Sequence, residues 1–463
     1  MVTAVPEYHA PHRLHLSRLA PVTVTLGALA LALCVALTPA PSAGAPALSD
    51  ELFQSLDGQG VIDRQAVTVT GDLVGDGTLQ PEFFVDGVVP GIIPPQRWIG
   101  AFPWVTLICR TADSVIQLTD PISWYTRLMS STYPGFDHYW RELSYDQMTI
   151  AGSQVAGVYT LTKPSSSYWT CSGGSCQMTD AAIEDCAQAA DPDVYFPNFT
   201  GFHIILPPPA NINGNTTFAT LWSLTADGQT KVYRITSIPA DRPSHELLAH
   251  EWGHALGLPH SSGPYTWTYD SGWDVLSGAR FGYPCKITGD PNFGCLGQHT
   301  IAYHKDLLGW IPPSRVVTVS IGTSQTITLD PLEGPLGAGS NALYVLAPFL
   351  SPPWYYPWYL LEARQLTGYD AGIPGHAVVI HEVNRYTHGL DRIAQVVDVD
   401  NNGNPNDAGA MWLPGEVFTD VAHSIVTCVQ SETASGGYVV TIGNRANACG
   451  FTFQYVYLPI VMR

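Results

Sequence analysis

The 463-residue chain carries 39 Asp plus Glu against 20 Lys plus Arg, a formal net charge of −19. That balance excludes nucleic acid as a partner, because a polyphosphate needs a basic surface. With 45% hydrophobic residues, only 13% charged ones, 43 glycines and 37 prolines, the chain is globular, long enough for two or three domains, and weighted towards strands and turns rather than helical bundles.

Arg13 and Arg18 precede an apolar run from Pro21 to Leu37, and the small residues that follow offer an Ala-x-Ala site at Ala43–Ala45. This is the pattern of a cleaved secretory signal, residues 1–45. A retained anchor is the rival reading, since the run falls only slightly short of the roughly 20 residues a spanning helix needs. Leu33 stands where lipid attachment at Cys34 would want a small residue. No second run of spanning length follows, so the mature chain is expected to be secreted, extracellular and monomeric, with no stable membrane association. Of nine cysteines Cys34 leaves with the signal, and the remaining even set argues for disulfides in an exported protein. Spacing suggests Cys285 with Cys295 and Cys428 with Cys449. Cys109, Cys171, Cys176 and Cys186 allow three pairings, with a lean to Cys171–Cys176 and Cys109–Cys186. Sequons stand at Asn198 and Asn215.

Residues 46–100 are punctuated by Gly and Pro and contain no cysteine; they form a propeptide or a small N-terminal β-unit. From Phe102 the text changes. "FPWVTLICR" is a compact apolar strand, and "PISWYTRLMSSTYPGFDHYWRELS" has amphipathic helical spacing interrupted near Pro134. "MTIAGSQVAGVYTL", "GFHIILPPP" and "TFATLWSLT" pattern as strands, and "QMTDAAIEDCAQAAD" as a helix. Residues 101–313 are therefore expected to form one mixed α and β domain.

In "SHELLAHEWGHALGLPH" the apolar spacing of Leu247, Leu248, Ala255 and Leu256 marks a helix, with Pro243 suited to a first turn and Gly257 to an end. His250 and His254, four residues apart, project from one face and can meet one Zn²⁺ at about 2.0 to 2.1 Å. Gly257 lets the chain turn sharply so that His260 comes round as a third ligand. Glu251, beside the first ligand, can act as general base towards a water. His245 is displaced from the metal face and reads as a polar neighbour, and His299 and His304 as structural residues.

Beyond Pro313 the helical signal nearly vanishes. "RVVTVSIGTSQTITL", "ALYVLAP", "WYLLEAR", "HAVVIHEV", "SIVTCVQS", "GYVVTIG" and "TFQYVYLPIVM" are short β-branched and aromatic runs between turn signals, which predicts a β-sandwich over residues 314–463. Within it, "DVDNNGNPNDAGAMW" alternates Asp398, Asp400 and Asn402 before Gly403, an oxygen-donor spacing that suits Ca²⁺. Gly409 stands where the helix-loop-helix calcium motif has its bidentate glutamate, so this is either a calcium loop of another kind or an Asn- and Asp-rich turn.

The set His250, Glu251, His254, Gly257 and His260 resembles the zinc signature of the metzincin metalloproteases. "HEWGHALGLPHSSGPY", "YDSGWDVLS", "HTIAYHKDLLGWI", "FDHYWRELSYDQMTIAG" and "DAGAMWLPGE" are similar to the secreted gametolysin-like and immune-inhibitor-A-like branches, over about Phe102 to Ile442. The resemblance implies an α+β catalytic domain, a five-stranded mixed sheet over an active-site helix, with an edge strand at residues 217–223 on which a peptide substrate lies. It also implies a hydrophobic floor under the histidines, where Leu276 of "WDVLS" replaces the usual methionine; the swap nearly conserves volume. Gly278 stands where some metzincins have a tyrosine ligand. Some relatives block zinc with a propeptide cysteine; with none in residues 46–100, Asp72, Asp76 or Asp86 is left as a carboxylate that can cover a metal. The expected function is a secreted zinc endopeptidase acting on protein or peptide substrates, with Zn²⁺ as cofactor, Ca²⁺ as a second candidate and Glu251 as base. The alternative is a zinc-stabilised, catalytically weak module that binds glycan or protein through the aromatic run "PPWYYPWY", residues 352–359.

Overall fold

In the computed structural model, which describes residues 22–26, 67–73, 79–85, 97–114, 121–172, 175–209, 214–215, 218–239, 244–277, 289–337, 341–349, 357–388 and 392–443, the chain is an α+β protein, mostly strands with few helices. It forms two units, residues 1–87 and 88–463. In the first, β1 (Val22–Leu26), β2 (Val67–Leu73) and β3 (Leu79–Val85) make an antiparallel sheet. The rest of the expected signal and the Ala43–Ala45 site lie outside the described residues, as do Asp76 and Asp86.

In the second unit the apolar runs of the N-terminal half become β4 (Trp104–Arg110), α1 (Pro121–Leu128), α2 (Phe136–Leu143), β5 (Gln154–Thr160), α3 (Asp180–Ala190), β6 (Gly201–Leu206), β7 (Phe218–Ala226), β8 (Gln229–Pro239) and α4 (His245–Leu256). Strands β8, β6, β4 and β5 run parallel, and β7 closes one edge as an antiparallel hairpin partner of β8, giving a five-stranded sheet in the order β7-β8-β6-β4-β5. Every residue of β6 is buried, as a parallel strand covered on both faces requires. One face turns Trp104, Ile108, Ile205 and Ile238 onto Leu248, Trp252, Ala255 and Leu256 of α4. The other turns Val105, Leu107, Phe202, Ile204 and Ile235 onto Ala182, Ile183 and Ala187 of α3. Each large apolar side chain so buried contributes about 1.5–3 kcal/mol. Pro134 separates α1 from α2, as its missing N–H dictates.

Cys109 of β4 is bonded to Cys186 of α3, pinning the sheet to its covering helix, and Cys171 to Cys176 closes a short hairpin; both are the favoured pairings. Cys295 and Cys428 are also disulfide-bonded, while Cys285 and Cys449 lie outside the described residues. No helix among the described residues is long and apolar enough to cross a membrane.

Further along, β9 (Ser261–Ser262), β10 (Val316–Thr318), β11 (Ser324–Leu329), β12 (Tyr344–Pro348), β13 (Trp358–Arg364), β14 (Ala377–Val383), β15 (Ala394–Val396), β16 (Val417–Asp420), β17 (Ile425–Glu432) and β18 (Tyr438–Gly443) form a six-stranded sheet, β9-β15-β14-β13-β12-β10, and a four-stranded sheet, β11-β18-β17-β16. The two share one apolar cluster that includes Leu329, Val345, Leu361, Ile380, Val429 and Val440. Strand β9 follows His260 directly and pairs with β15, so the pairing bridges the expected domain limit at residue 313. "TFQYVYLPIVM" lies outside the described residues.

Candidate metal centre

Helix α4 has both ends fixed by local chemistry. The Ser244 side chain accepts the Leu247 N–H at 3.2 Å as N-cap. At the other end Gly257 is left-handed, with φ 101°, the Leu258 N–H returns to Gly253 O and the Gly257 N–H to His254 O. This paired bonding stops the helix and reverses the chain. Pro243 lies outside the described residues.

The reversal brings His260 back over the two helical histidines. His254 Nε2 lies 3.1 Å from His250 Nε2 and 3.0 Å from His260 Nε2. His250 donates its Nδ1–H to Val275 O at 2.7 Å, and His254 its Nδ1–H to Leu258 O at 2.8 Å. With those protons spent on carbonyls, the two Nε2 atoms carry lone pairs that face each other. Two such nitrogens aimed at one point, with His260 Nε2 beside them, repel unless a cation sits there; ligands of a tetrahedral zinc stand about 3.3 Å apart. Burial first, then the neighbouring His260 and His250 rings, hold the His254 imidazole well below its usual range, in the neutral form that a metal binds. Glu251, next to His250 on the same helix, is buried. The donor set suits Zn²⁺.

Leu276 is fully buried in the same cluster as α4. A Cβ on Gly253 would meet its two methyls at 2.9 and 3.0 Å, so the leucine sits directly against the bare backbone between the first two histidines. Its turn is held by Asp274, whose carboxylate accepts from the Leu276 N–H at 3.0 Å, Ser261 Oγ at 2.7 Å and Thr300 Oγ1 at 2.8 Å, and pairs with His304 Nδ1 at 2.9 Å. Burial pushes the Asp274 carboxyl up, but the His304 charge and these hydrogen bonds outweigh it and hold the group at about 2. Leu276→Ala should therefore lower stability by about 2–5 kcal/mol by opening a cavity. Leu276→Met should cost less than about 1.5 kcal/mol and leave metal content unchanged. Chemical denaturation of the variants measures both, and an Ala variant as stable as the parent would mean that the leucine bears no load.

The segment from His260 to Ser277 is held from outside as well. Arg364 on β13, fully buried, donates to Trp273 O at 2.7 Å. The Gly272 N–H donates to Asn406 Oδ1 at 2.6 Å, Asn406 Nδ2 to Asp270 O at 2.6 Å and Trp273 Nε1 to Pro405 O at 3.0 Å. Neither Arg364 nor the 400s loop was flagged by sequence as support for the histidines. Tyr269 was also missed: its ring centroid lies 5.3 Å from that of His260 and 5.9 Å from that of His250. Nothing in the spacing of "TYDSGWDVL" points to it.

The other expected residues fall as follows. His245 stands off the metal face and accepts the Gly297 N–H at 3.1 Å, with burial holding it neutral. His299 contacts Glu142 at 3.0 Å and Lys305 at 3.1 Å. Asp398 and Asp400 come together with Asp407, one carboxylate oxygen of each lying within 4.8 Å of the others. Asn402 instead turns its amide nitrogen to Asp400 and Asp407. Of the aromatic run, Tyr359 packs on Phe349 and Phe418 and donates to Asp420, while residues 352–356 lie outside the described set, as does Gly278. Asn198 is exposed. No family model matches the chain, and no curated protein matches it either.

Proposed function

We propose that the protein is an exported zinc endopeptidase of the metzincin type, monomeric, acting on protein or peptide substrates. The observation that carries this reading is the convergence of three histidine Nε2 atoms, with the Nδ1 protons of His250 and His254 spent on carbonyls, and with a buried glutamate one residue from the first. Zinc held there supplies a Lewis acid for the scissile carbonyl and lowers the pKa of a water. Glu251 takes the proton of that water as it attacks and returns a proton to the leaving amine. The His250 and His254 carbonyl bonds fix the ring orientation. Strand β7, paired with β8 on one side only among the described residues, supports the role of substrate rail, since its other edge offers N–H and C=O groups to an extended peptide. The six- and four-stranded sheets are then the β-sandwich that follows the catalytic part, with β9 added to its edge from the catalytic part itself.

Casein and gelatin zymography of the mature protein tests this. Clearing should vanish on chelation and return with zinc. A protein that holds one zinc per chain yet cleaves neither these substrates nor a diverse peptide mixture would instead be the binding module.

A further inference from the structure

We propose that Asp398, Asp400 and Asp407 hold one calcium ion, and that this ion clamps the 261–277 segment, which carries the floor of the histidine centre, against the 398–409 loop. The three carboxylates converge, and no Lys, Arg or His pairs with them among the described residues. Side-chain amides reach two of the three: the Asn402 amide bonds Asp400 Oδ2 at 3.0 Å and Asp407 Oδ2 at 2.8 Å, and the Asn404 amide bonds Asp407 Oδ2 at 2.9 Å. Asp398 differs. Its residue is 6% exposed and its Oδ1 has no hydrogen-bond partner. That oxygen points into the cluster: a Cβ on Gly409 would stand 2.2 Å from Asp398 Oδ1 and 2.8 Å from Asp400 Oδ1. A glycine is thus what leaves room for two carboxylate oxygens of different residues to turn towards one another.

A buried, unpartnered anionic oxygen facing further carboxylates calls for a cation. The donors are all hard oxygens on an irregular loop, which suits Ca²⁺ with its flexible six to eight ligands better than the strict octahedron of Mg²⁺ or the nitrogen and sulfur preference of zinc. The other oxygen of Asp398 accepts from Tyr265 Oη at 2.5 Å, and Tyr265 Oη in turn accepts the Gly403 N–H at 2.9 Å. Tyr265 lies five residues after His260, and the neighbouring loop residues Pro405 and Asn406 bind Trp273, Gly272 and Asp270. An ion that fixes Asp398 and Asp407 fixes both ends of the loop on which the 261–277 segment rests.

The test uses the full mature chain with one equivalent of zinc restored after chelation. Terbium, a luminescent calcium substitute, is titrated with excitation through tyrosine, calcium and magnesium are used to displace it, and hydrogen exchange of residues 261–277 is followed with and without calcium. The expected result is one site, displaced by calcium and not by equal magnesium, with slower exchange in 261–277 when calcium is bound. Asp398→Asn should weaken binding on the order of tenfold or more. Asp400→Asn, at an exposed position, should do the same without disturbing the fold. Wild-type protein that binds neither ion, or variants that bind as well as wild type, would leave only a hydrogen-bonded turn. Equal displacement by magnesium would overturn the choice of ion, and binding without any change of exchange in 261–277 would overturn the clamp. None of these readouts depends on peptide hydrolysis, so failure here and failure of the endopeptidase reading are separable.

Discussion

Glu251→Gln should retain about one zinc per chain and lose on the order of 10²–10⁴-fold in peptide hydrolysis, the range contributed by a positioned general base. The substitution keeps the volume and the helix, and the three imidazoles with their carbonyl anchors at Val275 and Leu258 stay in place. The metal, its polarising effect and the substrate edge are therefore untouched; only the proton acceptor goes. His254→Ala is the contrasting variant. It removes the central nitrogen, the one within 3.1 Å of both other ligands, and should release the metal along with activity. Metal analysis beside a fluorogenic peptide assay separates the two, and hydrolysis at the parental rate by Glu251→Gln would remove Glu251 from the chemistry.

Arg364→Met should destabilise the protein by about 3–5 kcal/mol, because it strands buried charge. The guanidinium, fully buried, bonds Glu333 at 2.6 Å, Glu362 at 3.0 Å, Asp370 at 2.6 Å and Trp273 O at 2.7 Å. Methionine fills a similar volume and satisfies none of these. The pH dependence has a definite sign. Burial pushes the Asp370 and Glu362 carboxyls up, but Arg364 and then His299 for Asp370, and His381 and then Arg364 for Glu362, outweigh it and hold both below the ordinary range. Burial, only partly offset by Arg364, pushes Glu333 up. Stability from Asp370 and Glu362 is thus present in the parent above their unfolded values near about 4 and is lost as pH falls through the lower folded ones. In the variant these acids lose the cation that kept them ionised, so its deficit should be greatest near neutrality and shrink towards pH of about 4. Denaturant midpoints across that window measure it; a deficit that does not vary with pH would mean that lost packing, and not stranded charge, is the cause.

How far the sequence reveals the site follows from the range of the interactions. The helix and its three histidines are legible because everything that places them is local: a four-residue spacing, a capping serine and a glycine that reverses the chain. Most strands after Pro313 are legible because alternation and β-branching act over a few residues. β8 escaped notice because Gln229, Lys231 and Arg234 break its apolar pattern, and its place beside β6 is decided by pairing far along the chain. The same holds for Asp274, whose partners Ser261, Thr300 and His304 come from two separate segments. Asp407 against Asn402 is a subtler case. Alternation favours the asparagine, yet the loop folds so that its amide nitrogen, and not its oxygen, faces the carboxylates.

The supports of the 261–277 segment also impose an order in time. A ribosome completes the histidine helix well before it adds Arg364, Pro405 and Asn406, and N-terminal parts of a chain fold as they emerge. A nascent chain that ends between these points owns every metal ligand and the glutamate, but the turn bearing Leu276 has no arginine for Trp273 O and no loop for Gly272. Contacts across more than 90 residues of sequence, as between Trp273 and Arg364, cannot form until both partners exist and are slow to close. If the proposed endopeptidase activity holds, competence for hydrolysis would arrive last, as a delay set by synthesis, and a chain cut short of residue 364 should carry the signature without the power to cleave.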